Sequence, residues 1–312
     1  MANPAFFACF APYLEVLSGS ADPEHLPFQR VYVNGSFLDG DRLVSWPARL
    51  ADMHAAWAAE GRAPLARLGD SLSADARRAL RSLGLPEGAW YVALHVRDGS
   101  YRMDRGFAFR NADLTDVLPA VRAIVAVGGW VVRVGDAEAA LPSEPGLVDY
   151  ARSPLRSPAL DVAIAAKARF FLGTSSGLVM VPLAFGVPCI QVNVAPIAAR
   201  AYASHDLFLP KLYREREMGR LWPFPKAMRS PLARAFQDRM FDEAGVEVVA
   251  NTPEEIRDVT LEMLQRLEGR EADSAEDEGR QRRYLAASPD RWGGSGARVG
   301  KAFLARYEAL LD

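Results

Sequence analysis

Trp90-Tyr-Val-Ala-Leu-His-Val-Arg97 and Arg169-Phe-Phe-Leu-Gly-Thr-Ser-Ser-Gly177 decide the fold of this 312-residue chain. Each is a short apolar run that stops abruptly in small or polar residues, as strands buried on both faces of a parallel sheet do. Side chains alternate along a strand, so His95 and Arg97 share one face at the end of the first run. In an open α/β sheet, ligands bind outside that carboxyl edge. The second run ends in Gly173, Thr174, Ser175, Ser176 and Gly177 and leads into a helix start, which can offer main-chain N–H groups and a helix dipole to an anion. Both ends point to a phosphate-bearing ligand.

Working outward, apolar runs alternate with amphipathic segments. The pattern predicts strands over 90–96, 130–134, 147–149, 169–172 and 188–193, and helices over 113–127, 158–168 and 176–186. Alternation at this spacing implies right-handed crossovers, a parallel sheet and helices on both of its faces. A further strand–helix unit is expected over 246–249 and 253–267, with Asn251 or Thr252 as the helix cap and Glu254 and Glu255 in the first turn. Upstream, Val31 to Phe37 reads as a strand running into a turn, and Pro47 to Gly61 as a helix. Leu72 to Leu83 reads as a charged helix with Ser73 as cap and Gly84 as stop. Downstream, 268–283 is a charged run, expected as a solvated loop or helix face, and a glycine-rich turn at 293–296 leads into an amphipathic helix over 297–311.

Half of the residues are apolar, about a quarter are charged and the formal net charge is −2, the profile of a soluble globular protein with no bulk attraction to nucleic acid. Cys9 and Cys189 lie far apart among apolar neighbours, as core residues of a reducing compartment do. No C-x-x-C or H-E-x-x-H spacing occurs and the four histidines are isolated, so no protein-built metal site is expected. The first residues lack the basic flank of a signal peptide, and no apolar run approaches the roughly 20 residues that span a bilayer. The expected location is the cytoplasm.

Each polar candidate also has a plain structural reading. Arg97 could pair with Asp98 or Asp104 at the surface, His95 could be a satisfied core histidine, and the Thr-Ser-Ser segment could be only a helix cap. Position weighs against that reading, because all of these residues stand at predicted strand ends. Asp136 follows Val131-Val-Arg-Val-Gly135 at another strand end, and Asp149 and Tyr150 follow the next. Asp161 sits in the first turn of the helix that leads into the Phe170-Phe171 strand. Neither the dinucleotide-binding G-x-G-x-x-G nor a Walker A sequence is present, which disfavours nicotinamide oxidoreductase and ATPase readings.

His95-Val-Arg97, Asp136 and Leu160-Asp-Val-Ala-Ile-Ala-Ala-Lys-Ala-Arg-Phe-Phe-Leu-Gly-Thr-Ser-Ser-Gly177 resemble the nucleotide-sugar-binding half of GDP-fucose-dependent fucosyltransferases with a GT-B-like fold. The chain is more closely similar to a bacterial glycosyltransferase family linked to surface-polysaccharide or secondary glycosylation. Its recurring elements stand here as His95-Val-Arg-Asp98, Arg110-Asn-Ala-Asp113, Gly128-Gly-Trp-Val-Val-Arg-Val-Gly-Asp136, Val148-Asp-Tyr150, Phe170 to Gly177 and Phe185-Gly-Val-Pro188, spanning roughly residues 90 to 267. The similar strand end also resembles those of heptosyltransferases and sugar-nucleotide epimerases.

The resemblance implies a GT-B-like α/β protein in three parts: a reduced N-terminal, acceptor-side domain over 1–88, a Rossmann-like nucleotide-sugar-binding domain over 89–268, and a charged linker with a C-terminal helix packing back over 269–312. It implies that Arg97 grips the diphosphate and stabilises the leaving nucleotide. Thr174, Ser175 and Ser176, with their main-chain N–H groups, would hold the phosphates, His95 and Asp161 would lie near the base or ribose, and Asp136, Gly173 and Gly177 complete the expected donor-binding set. Positive charge at the leaving group can take the place of a metal ion. Asp98 and Asp104 are the candidate general bases. The expected activity is metal-independent, inverting transfer of a sugar from a nucleoside-diphosphate donor, GDP-sugar first, to a carbohydrate or other hydroxyl acceptor. No cofactor is implied beyond that co-substrate. Where the fucosyltransferases carry a second arginine after H-x-R, this chain has Asp98. A non-catalytic nucleotide-sugar-binding scaffold, or an epimerase or hydrolase of the same donor, is the alternative.

Overall fold

The computed structural model describes residues 3–11, 13, 36–39, 42–99, 106–270, 272–287 and 296–312. Along the chain run α1 (Pro4–Ala8), β1 (Ser36–Asp39), β2 (Arg42–Ser45), α2 (Trp46–Ala59), α3 (Asp70–Ser82), β3 (Tyr91–His95), α4 (Leu118–Ala126), β4 (Trp130–Arg133), β5 (Leu147–Val148), α5 (Pro158–Lys167), β6 (Phe170–Thr174), α6 (Met180–Ala184) and β7 (Cys189–Val194). There follow β8 (Leu207–Pro210), β9 (Leu212–Glu215), α7 (Phe224–Arg229), α8 (Asp238–Glu243), β10 (Val246–Val249), α9 (Pro253–Leu267), α10 (Ala275–Ala287), β11 (Arg298–Val299) and α11 (Lys301–Arg306).

Seven strands form one sheet in the order β5-β4-β3-β6-β7-β8-β11, and every neighbouring pair is parallel. The chain enters at β3, winds outward to β5, then crosses back over β3 to β6 and winds outward the other way. The architecture is α/β, with a Rossmann-like doubly wound sheet whose direction reverses between β3 and β6. These two strands are the Trp90–Arg97 and Arg169–Gly177 runs.

Alternate residues of the central strands feed the two faces. Val92, Leu94, Phe170, Leu172, Ile190 and Val192 bury against α4 and α9 through Val121, Ile124, Ile256 and Val259. Tyr91, Ala93, Val132, Phe171 and Cys189 bury against α3 and α5 through Ala76, Leu80, Ala163 and Ile164. Double coverage makes the strands continuous apolar runs, and that is why the sequence reveals them. Local chemistry sets the helix ends. Ser157 accepts the N–H of Leu160 at the start of α5, and Thr252 and Glu255 form a reciprocal capping box on α9. Asn251 is engaged elsewhere, exchanging two hydrogen bonds with Asn193, of which Asn251 N–H to Asn193 Oδ1 is 2.8 Å.

Several expectations are corrected. Val246–Val249 does not join the parallel sheet; it pairs antiparallel with β9 in a separate two-stranded ladder. The expected helix over 176–186 is a 3-10 turn, Gly177–Val179, followed by the five-residue α6. Ser73 does not cap α3 but lies buried within it, and Gly69 is the cap residue. The charged run 268–283 carries the start of α10, within the expected loop or helix face; just beyond it, Tyr284 of the same helix is fully buried between Phe208 and Phe224, with ring centroids 6.1 and 5.1 Å away. The expected terminal helix over 297–311 begins instead as β11, the edge strand on β8, before the short α11. The C-terminal part therefore belongs to the same sandwich, tied to α9 by Tyr307 O–H donating to Glu255 (2.7 Å) and Lys301 N–H donating to Glu262 (2.8 Å).

At the other end, α3 packs into the same core as β3, and Cys9 after α1 packs on Val162 and Ala165 of α5. Most of the strand expected at Val31 to Phe37 lies outside the described residues; β1 covers only its end. No described helix is long and apolar enough to cross a membrane.

Candidate functional site

The sheet register sets His95 directly opposite Gly173 across the β3–β6 pair. Just beyond, the main-chain N–H of Arg97 donates to Thr174 Oγ1 at 2.9 Å, stitching the two strand ends together at the point where the winding reverses. The crevice outside these ends is where an α/β sheet of this order offers a ligand site. Gly173 is required there by space: a Cβ would lie 2.6 Å from the Phe171 ring and 2.9 Å from the His95 carbonyl oxygen.

The hydroxyl segment is less available than its sequence implied. Thr174 is fully buried with Oγ1 engaged by Arg97, and Ser176 Oγ accepts the N–H of Leu178 to cap the short 3-10 turn. Thr174 thus positions Arg97, and Ser175, Ser176 and Gly177 remain at the surface of the crevice. With α6 only five residues long, little helix dipole stands behind them.

His95 is held from the neighbouring strand end. Its Nδ1 lies 3.2 Å from the Val134 carbonyl oxygen, which makes Nδ1 the donor and leaves Nε2 as the acceptor of a neutral ring. Burial pushes its pKa down to about 4, with Arg133 and Arg97 acting in the same direction against the Val134 bond and Asp98. Gly135 makes this approach possible. It has φ of +89°, and a Cβ would come within 2.7 Å of His95 Nδ1. The N–H of Gly135 donates to Asp161 at 3.1 Å, so Asp161 is tied to the same turn. Burial raises the Asp161 pKa. Arg156 spans the two acids, 3.3 Å from Asp161 and 3.2 Å from Asp136, whose side chain is 72% exposed.

Asp98 is placed differently from a solvent-facing base. Its side chain is 8% exposed and lies 3.3 Å from Arg133, a guanidinium 1% exposed at the end of β4. Arg133 also donates to the Ala139 carbonyl at 2.6 Å and lies 3.6 Å from Asp149. Asp104 lies outside the described residues.

The structure adds residues that the strand pattern did not single out as ligands. Arg110 donates from Nη2 to the Ser175 carbonyl at 2.7 Å, the N–H of Ala112 donates to the Arg97 carbonyl at 3.0 Å, and Lys211, just past β8, donates to the Asn111 carbonyl at 2.6 Å. Lys211 is 3% exposed, and burial lowers its pKa to about 8. Arg133 did leave a signal, a charge inside the apolar run Val131-Val-Arg-Val134. Arg156 and Lys211 sit in patternless segments. Among the described residues, no three of His, Cys, Asp and Glu gather as a metal site would require. Among the described residues, cavities of about 560 and 410 Å³ open at the amino-terminal edge of the sheet: one is lined by Trp57, His54 and His205, the other by Arg77, Arg81 and Lys167. Neither touches the strand ends described above.

No protein-family model matches the chain, and no curated protein does. Among solved structures, the chain is similar to the crystal structure of a glycosyl transferase family 9 protein from Veillonella parvula DSM 2008, with 12% identity and a TM-score of 0.33. That likeness covers 46% of this chain and 42% of the other, so the chain matches less than half of that protein's length.

Proposed function

We propose that this protein is a glycosyltransferase that binds a nucleoside-diphosphate sugar, GDP-linked first among the candidates, in the crevice between the ends of β3 and β6. The observation that carries the reading is the Arg97–Thr174 bond at the winding reversal, which sets a strand-end arginine beside the Ser175–Gly177 turn. In this reading Arg97 holds the diphosphate and stabilises charge on the leaving nucleotide. His95, neutral at pH 7, accepts through Nε2 from the base or ribose, and Asp161 and Asp136 line the same side.

A hydroxyl acceptor then attacks the anomeric carbon as the bond from that carbon to the diphosphate breaks and the nucleoside diphosphate leaves, and a carboxylate of the segment after Arg97 takes the hydroxyl proton. Asp104 suits that role better than Asp98, whose carboxylate is committed to Arg133. Transfer proceeds with inversion and without a protein-bound metal, so turnover is expected to persist in EDTA. Loss on chelation and recovery with magnesium or manganese would contradict this part. The commitment of Asp98 also favours a second reading, a nucleotide-sugar-binding domain without catalysis.

Thermal unfolding with GDP, UDP, ADP, CMP and dTDP tests the core claim, because a ligand selective for the folded state raises the midpoint. A rise with one or more nucleoside diphosphates is expected. No rise with any of them removes the reading.

A further inference from the structure

We propose that Arg110 is a second phosphate-gripping guanidinium of the switch-point site, sharing the diphosphate with Arg97. The inference rests on the diphosphate reading of that site and adds a residue to it from outside the two strand ends.

Arg110 ends a 3-10 turn, Ala108–Arg110, that is anchored before any ligand arrives. The carboxylate of Asp238 accepts the N–H groups of Ala108 and Phe109 at 2.9 and 2.8 Å, and the N–H of Asp238 donates to the Gly106 carbonyl at 2.8 Å. Phe109 is buried beside Phe241, with ring centroids 5.2 Å apart. On the far side of the turn, Asn111 is held by Lys211 and Ala112 by Arg97, at 2.6 and 3.0 Å. The segment Arg110 to Ala112 thus bridges three strand ends, those of β3, β6 and β8.

From this anchored turn the Arg110 guanidinium reaches the Ser175 carbonyl at 2.7 Å. That bond holds one donor of a planar guanidinium, a group whose geometry suits phosphate oxygens, beside the Ser175–Gly177 turn. Ala112 joins the same turn to the Arg97 carbonyl, so the two arginines are carried by hydrogen-bonded neighbouring segments. A diphosphate carries charge on two phosphoryl groups, and two preorganised guanidinium groups suit it better than one. Lys211, buried just past β8, holds the Asn111 carbonyl of the same turn.

The test is titration calorimetry of wild type, Arg97→Ala, Arg110→Ala and Arg110→Lys with GDP and GMP, or with the diphosphate and monophosphate of whichever base binds tightest. Arg110→Ala is expected to weaken the diphosphate by about 10- to 100-fold, and the monophosphate by much less. Arg110→Lys, which keeps a donor for Ser175, is expected to recover only part of the loss. If Arg110→Ala weakens both ligands equally, Arg110 is a latch on Ser175 and the inference is overturned. It is also overturned if Arg110→Ala binds diphosphate like wild type while Arg97→Ala does not, an outcome that leaves the site reading standing. Failure of wild type to bind any nucleoside diphosphate would instead remove the site reading itself. Should Arg110→Ala not fold, Arg110→Lys decides: a diphosphate affinity equal to wild type overturns the inference.

Discussion

The main-chain N–H of Arg97 and the hydroxyl of Thr174, 77 positions apart in the sequence, meet at 2.9 Å across the ends of β3 and β6. Thr174→Val keeps the shape but removes the acceptor, leaving a buried N–H unpaired. It is expected to cost about 1–3 kcal/mol in urea unfolding and to loosen nucleoside-diphosphate binding. Thr174→Ser, which keeps the acceptor, is expected to lose less. A valine variant as stable as wild type, with unchanged ligand affinity, would show that the bond is incidental.

Arg97→Ala is expected to weaken nucleoside-diphosphate binding by about 1.5–3 kcal/mol without unfolding the protein, as loss of a charge-assisted partner does. Arg97→Lys is expected not to restore full affinity, since a point charge cannot reproduce a planar fork. Calorimetry that finds all three proteins alike would remove Arg97 from the site.

Asp98 and Asp104 separate in a paired experiment. Asp98→Asn strips a charge from the buried Arg133, which retains Asp149 at 3.6 Å, so the expected stability loss is about 2–3 kcal/mol, below that of a fully orphaned buried charge. Turnover per folded molecule is expected to change little. Asp104→Asn is expected to cut turnover by about 10²–10⁴-fold with donor affinity nearly intact, as loss of a general base does. The reverse pattern would make Asp98 the base.

Burial of His95 sets an acid limit on stability. Its folded pKa of about 4 lies below the ordinary 6.5, so between those values the unfolded chain binds more protons and stability falls as pH falls. The contribution is fully present above pH 6.5 and is lost toward pH 4, at most about 3 kcal/mol. Asp161, with its pKa raised by burial, acts in the opposite direction, so the comparison must be between wild type and His95→Gln. Urea midpoints that fall in parallel for both proteins between pH 6.5 and 4 would exclude His95 as the cause.

Much of the central sheet was legible because burial on both faces writes itself locally. Phe170 to Leu172 and Tyr91 to Leu94 are apolar at every position, and the helix cap Thr252 lies within three residues of the N–H group it accepts. Such signals depend on neighbours in the chain, so composition and periodicity suffice to find them. The segment 246–249 shows the limit. Its apolar run resembles the others, yet it pairs antiparallel with β9, because pairing partners are chosen by the packing of the whole.

That polar groups end the strands at His95, Arg97, Asp136 and Thr174 follows from the residue order alone, since the two-residue repeat and the abrupt end of each apolar run are local properties. The fold adds which of those groups are already engaged by protein partners. Thr174 and Asp98 looked like donors and bases in one dimension; folding commits the first to Arg97 and the second to Arg133. Arg110 stood in the sequence only within the family-like element Arg110-Asn-Ala-Asp113; its place beside Ser175 comes from Asp238, Ala112 and Ser175, brought in from separate elements around its turn. The reason is the cost of burying a charge or an N–H without a partner, which forces strand ends to satisfy one another before they can serve a ligand. Which partners they find depends on contacts 35 to 77 residues apart, and no local pattern records them.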